Sequence, residues 1–446
     1  MKKNVAPATG IILLCTLLSA CGGGSNPAPP STFSVIASVS NLAAAGLVLS
    51  NGTDTVAVPP NATSVTFPSK MPSGVSYNVS IASQPPGFTQ ICALSNGAGM
   101  VSNSNVSNIA VSCHTAAAVV TTLAGSGIQG NANGTGTAAS FNYPEHIAVD
   151  TSGNVYVADS GNNLIRKVTP TGVVTTLAGS GIQGNANGTG TAASFNNPGG
   201  VTVDVSGNVY VADFRNNLIR KITPAGMVTT LAGDGSHNSA NGIGTAASFA
   251  FPGDVTVDAA GNVYVADVSN YMIRKITPAG LVTTYAGIGS PALPLYGNGP
   301  ANTASFALPD SVAVDALGNV YVADTGNNSI RKITAAGMVS SLAGDLYANS
   351  GSANGTGTAA TFSAPTGVAV DASGNVYVSD SGNNLIRKIT AAGVVTTIAG
   401  NASDTSINGT GTAAGFRNPV GVAVDSSGNL YVSDSGSHLI RKISAQ

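Results

Sequence analysis

Residues 198–233, PGGVTVDVSGNVYVADFRNNLIRKITPAGMVTTLAG, decide the fold of this chain. Apolar and polar residues alternate in four short segments of this stretch, and turns rich in Gly, Asn and Pro separate the segments. Alternation with a period of two is typical of a half-buried β-strand, and Gly, Asn and Pro favour turns. The stretch therefore predicts four short strands, at about 198–204, 207–213, 217–223 and 227–233.

The same pattern occurs six times along the chain. Its most regular marker is the Asp that ends the second strand, and successive copies lie 54 to 57 residues apart. The six copies are Asp159, Asp213, Asp267, Asp324, Asp380 and Asp434. Four short strands per unit fit a blade of a β-propeller better than a coil of a solenoid.

In these segments the repeat closely resembles the NHL repeat family, over about residues 119–443. The resemblance implies an all-β chain with a six-bladed β-propeller, which we place at residues 119–446. Many NHL proteins use the faces of the propeller to bind protein or other polymers. The resemblance therefore implies a binding role on one face of the ring.

The two ends of the repeat region predict a closed ring. Residues 119–125 match the fourth strand of a unit, whereas the last copy has three strands and ends near residue 443. We expect the first strand to complete the last blade, because closure hides sheet edges that would otherwise pair with other chains. The long segment before each first strand keeps Ala-Ala before a Phe such as Phe141, which predicts a short helical turn held by a buried ring.

Charged residues make up only 8% of the chain, with 17 Lys and Arg against 19 Asp and Glu and a net charge of -2. Twelve of the basic residues are six Arg-Lys pairs in the third strands, and twelve of the acids end the first and second strands. Equal numbers at fixed positions predict repeated Asp–Arg hydrogen bonds around the ring. Too few cations remain to neutralise many phosphates, so the composition argues against nucleic-acid binding.

Residues 1–20 have the basic start and short apolar run of a signal peptide. Residues 18–21, LSAC, resemble a bacterial lipobox, which implies cleavage before Cys21 and a lipid on that cysteine; an ordinary secretory signal is the alternative. Residues 21–32 then predict a flexible tether. Because Gly22 stands where an Asp would imply the inner membrane, we expect an outer-membrane lipoprotein, facing either the periplasm or the outside.

Residues 33–115 alternate without a helical period, which predicts a small β-sandwich with Ig-like architecture in front of the propeller. The segment resembles spacer modules that follow lipoboxes, so we expect a stalk, with an independent ligand-binding role as the alternative. Cys15 leaves with the signal and Cys21 carries the lipid. The remaining pair, Cys92 and Cys113, should form a disulfide in an oxidising compartment.

The informative residues of the propeller are those that break the repeat. In a propeller, first strands begin at the central channel, on the face that carries the loops between second and third strands. Three copies place ionisable residues directly after the recurring Pro of the first strand, and one loop carries Phe-Arg in place of Ser-Gly. We expect these residues to form a binding site at one mouth of the channel. They are Glu145, His146, Asp254, Asp310, Phe214 and Arg215.

The favoured function is a binding scaffold without catalytic activity, monomeric, held at the membrane by its lipid and directed at a protein or polymer ligand. The alternative is an enzyme, by analogy with six-bladed lactonases and lyases that hold a metal in the channel. Zinc needs several converging His or carboxylate ligands, and only one of the six aligned positions is His. Glu145, Asp254 and Asp310 could instead hold a calcium ion.

Overall fold

The computed structural model describes residues 30–290, 297–345 and 347–446. Within these ranges the regular structure consists of β-strands and short 3-10 helices, without an α-helix, so the protein is all-β. No helix in the same ranges is long and apolar enough to cross a membrane. The predicted signal peptide at 1–20 and the predicted lipidation site Cys21 lie outside the described residues.

The part of the chain before the repeats forms two four-stranded sheets and one separate pair of strands. The first sheet has the order Ser64–Thr66, Val35–Ser40, Val106–Thr115 and Gln90–Ser95. The second sheet has the order Asp54–Ala57, Val48–Asn51, Ser76–Ser83 and Ala98–Met100. The separate pair joins Thr32–Phe33 to Met71–Pro72.

Apolar side chains from both of these sheets pack into one core, in which Val35, Leu49 and Ile109 are fully buried. Strand alternation produces this core, because successive side chains of a strand point to opposite faces of its sheet. Cys92 and Cys113 lie opposite each other in paired strands and form a disulfide. The predicted cysteine pairing is therefore confirmed.

From residue 118 onward, the described chain forms six five-stranded sheets. The first strands are Pro144–Val149, Gly200–Val203, Pro252–Val257, Pro309–Val314, Pro365–Val370 and Pro419–Val424. The second strands are Val155–Asp159, Val209–Asp213, Val263–Asp267, Val320–Asp324, Val376–Asp380 and Leu430–Asp434. The third strands are Leu164–Val168, Leu218–Ile222, Met272–Ile276, Ser329–Ile333, Leu385–Ile389 and Leu439–Ala445. The fourth strands, in the same sheet order, are Val173–Ala178, Met227–Ala232, Leu281–Ala286, Met338–Ala343, Val394–Ala399 and Ala118–Ala124.

A fifth strand of two residues lies outside the fourth strand of each sheet. These strands are Gly134–Thr135, Gly188–Thr189, Gly242–Ile243, Gly299–Pro300, Gly355–Thr356 and Gly409–Thr410. A 3-10 helix follows five of them, at Gly136–Ala138, Gly190–Ala192, Gly244–Ala246, Gly357–Ala359 and Gly411–Ala413. Between second and third strands lie the 3-10 helices Ser160–Asn162, Phe214–Asn216, Val268–Asn270, Thr325–Asn327, Ser381–Asn383 and Ser435–Ser437. The predicted helical turn is confirmed in these five copies, whereas the short strand before it was not predicted.

The ring closes as predicted. Ala118–Ala124 pairs with Leu439–Ala445, so that a strand from the start of the repeat region completes the sheet formed by its end. On its other side the same strand pairs with Gly409–Thr410. The first strands of neighbouring sheets contact each other around the ring, and all six line a central channel that contains a cavity of about 170 Å³.

The long segment that crosses the outer edge of each sheet is fixed by a buried arginine. Arg166 donates from Nη1 to Asp159 Oδ2 at 2.7 Å, and from Nη2 to the carbonyl of Ala132 and the side chain of Asn133. Its guanidinium also lies over the ring of Phe141, which is fully buried. The Asp–Arg pair recurs in every sheet, as predicted, with partners Asp213–Arg220, Asp267–Arg274, Asp324–Arg331, Asp380–Arg387 and Asp434–Arg441.

Candidate functional site at one mouth of the channel

A cavity of about 270 Å³ opens where the first strands begin. Five of the six predicted binding residues line it, and the sixth, Asp254, lines the channel beside His146. The lining residues come from the first four sheets of the ring. They are Glu145, His146, Ser160, Asn197, Gly199, Phe214, Arg215, Gly253 and Asp310.

His146 is the buried centre of the polar cluster, with 4% of its surface exposed. Its Nε2 lies 3.6 Å from Oδ2 of Asp310. Burial alone would lower the pKa of this imidazole, but the negative charges of Asp254, Asp310 and Glu145 together raise it to about 9. His146 is therefore an imidazolium at neutral pH, balanced by carboxylates from two other sheets.

Asp254 is also buried, on the wall of the channel. Its Oδ2 accepts hydrogen bonds from the Ser311 hydroxyl at 2.7 Å and from the backbone N–H of Val312 at 3.3 Å. Burial raises the pKa of its carboxyl, and the positive charge of His146 opposes that rise. Space for the carboxylate comes from Gly200, where a Cβ atom would lie 2.5 Å from the Cα of Asp254.

Glu145 is the only glutamate of the chain. Its half-buried carboxylate lines the cavity, and it has no hydrogen-bond or ion-pair partner among the described residues. Burial, reinforced by Asp310, raises the pKa of Glu145 to about 7, although His146 opposes the shift. This carboxylate is therefore desolvated without a donor from the protein to compensate it.

An aromatic group forms another side of the cavity. Phe214 stacks on Phe251 with ring centroids 5.0 Å apart, and His237 packs edge-on against Phe251 at 4.8 Å. Arg215, the next residue after Phe214, is exposed, and its side chain has no acidic partner in the described ranges. The sequence analysis identified Phe214 and Arg215, but it missed Phe251 and His237, which come from the segments on either side of the next 3-10 turn.

Ser160 and Asn197 were also missed. Ser160 occupies the position that Phe214 has in the next repeat, and its residue is 6% exposed. Its hydroxyl has no hydrogen-bond partner among the residues that the structure describes. In later sheets the equivalent hydroxyls of Thr325 and Ser381 donate to the carbonyls of Pro365 and Pro419.

The calcium hypothesis does not fit this geometry. In the described ranges, no group of three or more His, Cys, Asp or Glu side chains could hold a metal ion. Asp254 and Asp310 already balance the charge of His146, and Asp254 also accepts two hydrogen bonds. We therefore derive no chemistry through a metal at this mouth.

Comparison with known proteins agrees with this architecture. The family model for the NHL repeat matches residues 141–168, 195–222, 306–333, 362–389 and 416–443. The protein SUPPRESSOR OF QUENCHING 1 of Arabidopsis thaliana is 30% identical over 319 residues, which cover 68% of this chain and 30% of that protein. NHL repeat-containing protein 2 of Bos taurus is 28% identical over 337 residues, which cover 67% of this chain and 46% of that protein. The chain thus spans less than half the length of these relatives.

Solved structures share the fold at low sequence identity. A Bacteroides thetaiotaomicron protein of unknown function has 19% identity and a TM-score of 0.59, covering 95% of this chain and 99% of that one. A structure described as an auxiliary nutrient binding protein from Bacteroides ovatus has 16% identity and a TM-score of 0.56, covering 94% of this chain and all of that one. Together with the repeated sheets, these likenesses establish the architecture: the chain carries NHL repeats that fold as a β-propeller.

Proposed function

We propose that the protein is a ligand-binding propeller of the bacterial cell envelope, and that a protein or polymer ligand binds at the channel mouth defined by Glu145, His146, Phe214, Arg215 and Asp310. One observation carries the proposal. The residues that break an otherwise regular repeat come from separate sheets, and they converge on one open cavity.

The other recurring charged residues have structural partners, which supports this choice of site. The buried arginines pair with the Asp residues that end second strands. The Asp residues that end first strands hold the following turn, as Asp150 does by accepting from the N–H groups of Ser152 and Asn154. Glu145 and Arg215 lack such partners among the described residues, so a ligand can satisfy them without disturbing the sheets.

The envelope location rests on residues 1–21, whose lipobox resemblance predicts an acylated Cys21 in the outer membrane. Residues 33–115 would then be the spacer between membrane and propeller. Contacts between residues 33–115 and the propeller favour a fixed orientation of the propeller relative to this spacer. Lys388 donates from Nζ to the carbonyl of Gly87 at 2.7 Å, and Phe88 packs edge-on against Tyr377.

The solved structures described as auxiliary nutrient binding proteins agree with a binding role for this fold. Their identities of 14% and 16% establish the fold alone, so the assignment rests on the cavity. The cavity contains the groups that ligand sites usually combine. It is lined by carboxylate acceptors, by guanidinium and amide donors, and by an aromatic surface.

The test is a ligand-observed NMR screen of oligosaccharides, peptides and small metabolites. Binders should be lost in the double variant Glu145→Gln/Asp310→Asn and kept in the control Asp404→Asn, which changes an exposed carboxylate outside the cavity. A second control, Leu317→Ser, alters an exposed turn at the other end of the first strands. Binding that survives the double variant and disappears in Leu317→Ser would contradict the proposal.

A further inference from the structure

We infer that the ligand of this mouth is a neutral carbohydrate, and that one sugar ring enters the cavity between Glu145, Ser160, Phe214 and Arg215. The inference rests on the proposed function, because it names the ligand class of the same site. Three independent features of the cavity carry it: unpaired groups of both charge signs, a hydroxyl that faces the cavity without a partner from the described residues, and an aromatic wall.

Charge of both signs disfavours a ligand with a net charge. The unpaired carboxylate of Glu145 disfavours an anion in the cavity, and the unpaired guanidinium of Arg215 disfavours a cation. Sugar hydroxyls avoid this conflict, because each hydroxyl can donate to a carboxylate and can accept from a guanidinium. A polyhydroxylated neutral ligand therefore satisfies both sets of groups at once.

The Ser160 hydroxyl faces the cavity without a hydrogen-bond partner from the described residues. The equivalent hydroxyls of Thr325 and Ser381 donate to backbone carbonyls of the next sheet. A ligand hydroxyl can therefore bind Ser160 without displacing a hydrogen bond within the protein. Asn197 offers an amide donor and acceptor beside it.

The aromatic wall supplies the third feature. Phe214 faces the cavity and is backed by Phe251, which fixes its ring. The C–H groups of a sugar ring form an apolar face that packs against such a ring, while its hydroxyls point outward to the polar groups. At about 270 Å³, the cavity lies just below the range of about 300–1,000 Å³ of pockets for drug-sized ligands, which suits a single ring at the end of a longer glycan.

The experiment uses defined probes: the methyl glycosides of glucose, galactose, mannose, xylose and N-acetylglucosamine, with glucuronate and glucosamine as charged counterparts. Saturation-transfer NMR on the full mature chain identifies the neutral glycoside that binds, and titration compares variants. Phe214→Ala and Glu145→Gln should each weaken that binding about tenfold or more. Arg215→Gln, at an exposed position that does not endanger folding, should weaken it as well, and the control Asp404→Asn should not.

The outcomes separate this inference from the proposed function. Binding of a neutral glycoside that depends on Phe214, Glu145 and Arg215 supports both. If none of the neutral probes binds, or binds regardless of these variants, the carbohydrate inference is wrong. If a charged sugar or a peptide from the earlier screen binds through the same residues, the mouth remains the binding site but its ligand is of another class. If every binder instead depends on Leu317, both fail.

Discussion

Replacing Arg166 by Met tests the arginine network that holds each long segment to its sheet. The change removes a fully buried guanidinium and leaves the buried carboxylate of Asp159 without its cation. It also removes the hydrogen bonds from Arg166 to the carbonyls of Ala132 and Ser140 and to Asn133 Oδ1. The carbonyl of Ala132 keeps the N–H of Ser140 as a donor, and Asn133 Oδ1 keeps the hydroxyl of Thr176. Loss of one partner of a buried ion pair typically costs about 3–5 kcal/mol, and we expect the free energy of unfolding to fall by an amount in this range.

The neighbouring Lys167 gives a matched comparison in the same strand. Its side chain is half-buried, and Nζ lies 5.4 Å from the centre of the Tyr156 ring. Removing such a cation–π contact costs about 0.5–1 kcal/mol, so Lys167→Met should be far milder than Arg166→Met. Urea unfolding followed by circular dichroism measures both changes in free energy of unfolding.

A second variant tests the assigned cause. Adding Asp159→Asn to Arg166→Met removes the uncompensated charge, and it should recover part of the lost stability. The deficit of the single variant should also shrink at acidic pH, because protonation of Asp159 neutralises the same charge. Equal costs for the Arg and Lys variants, or a double variant no more stable than the single one, would refute the reasoning.

Four further outcomes are expected. Cys21→Ser should leave the exported protein soluble, and persistent membrane association in fractionation would contradict lipidation at that residue. Deleting Ala118–Ala124 should lower stability by several kcal/mol, because it leaves the last sheet without its fourth strand; an unchanged melting temperature would show that the ring closes otherwise. Gly200→Ala should cost about 1–3 kcal/mol by overpacking against Asp254, to be measured by urea unfolding. Since its pKa rises from 4.5 to about 7 on folding, Glu145 should make stability fall as pH increases across that window; a Glu145→Gln variant with the same pH profile would refute this.

The propeller could be predicted from the sequence because its strands alternate and its turns carry Gly and Asn in every copy. Gly134–Thr135 could not be predicted as a strand, since two residues show no period. Its pairing with the fourth strand depends instead on the path of the long segment. Arg166, which is distant in sequence, fixes that path by donating a hydrogen bond to the carbonyl of Ala132. The strand order of the N-terminal sheets could not be predicted for a related reason. Val106–Thr115 pairs in parallel with Val35–Ser40, a long-range contact that no local pattern encodes.

The sequence identified residues of the channel mouth only at positions that differ from the repeat consensus. Glu145 and Asp310 were found that way. Ser160 agrees with the repeat and gave no signal, because it differs from Thr325 and Ser381 only in lacking a hydrogen bond from its hydroxyl among the described residues. His438 shows the reverse case. It departs from the repeat, but its Nδ1 accepts a hydrogen bond from the N–H of Tyr143 at 3.1 Å. Asn163 plays the same structural part by accepting from the N–H of Asn197.

The shared sheet at the ring closure sets the order in which the molecule can be assembled. Val120 belongs to the first repeat strand to be synthesised, yet its partner Ile443 is among the last residues of the chain. The five other sheets are built from nearby segments and can form as soon as those segments are available, whereas this sheet has to wait for both ends to meet. The free-energy cost of closing a loop grows only slowly with loop length, by about 0.6 kcal/mol for each doubling. Contacts between segments that are distant in sequence nevertheless slow folding markedly. Joining of the two ends is therefore expected to be the late, rate-limiting event of folding, during which an unpaired edge is open to a second copy of the chain.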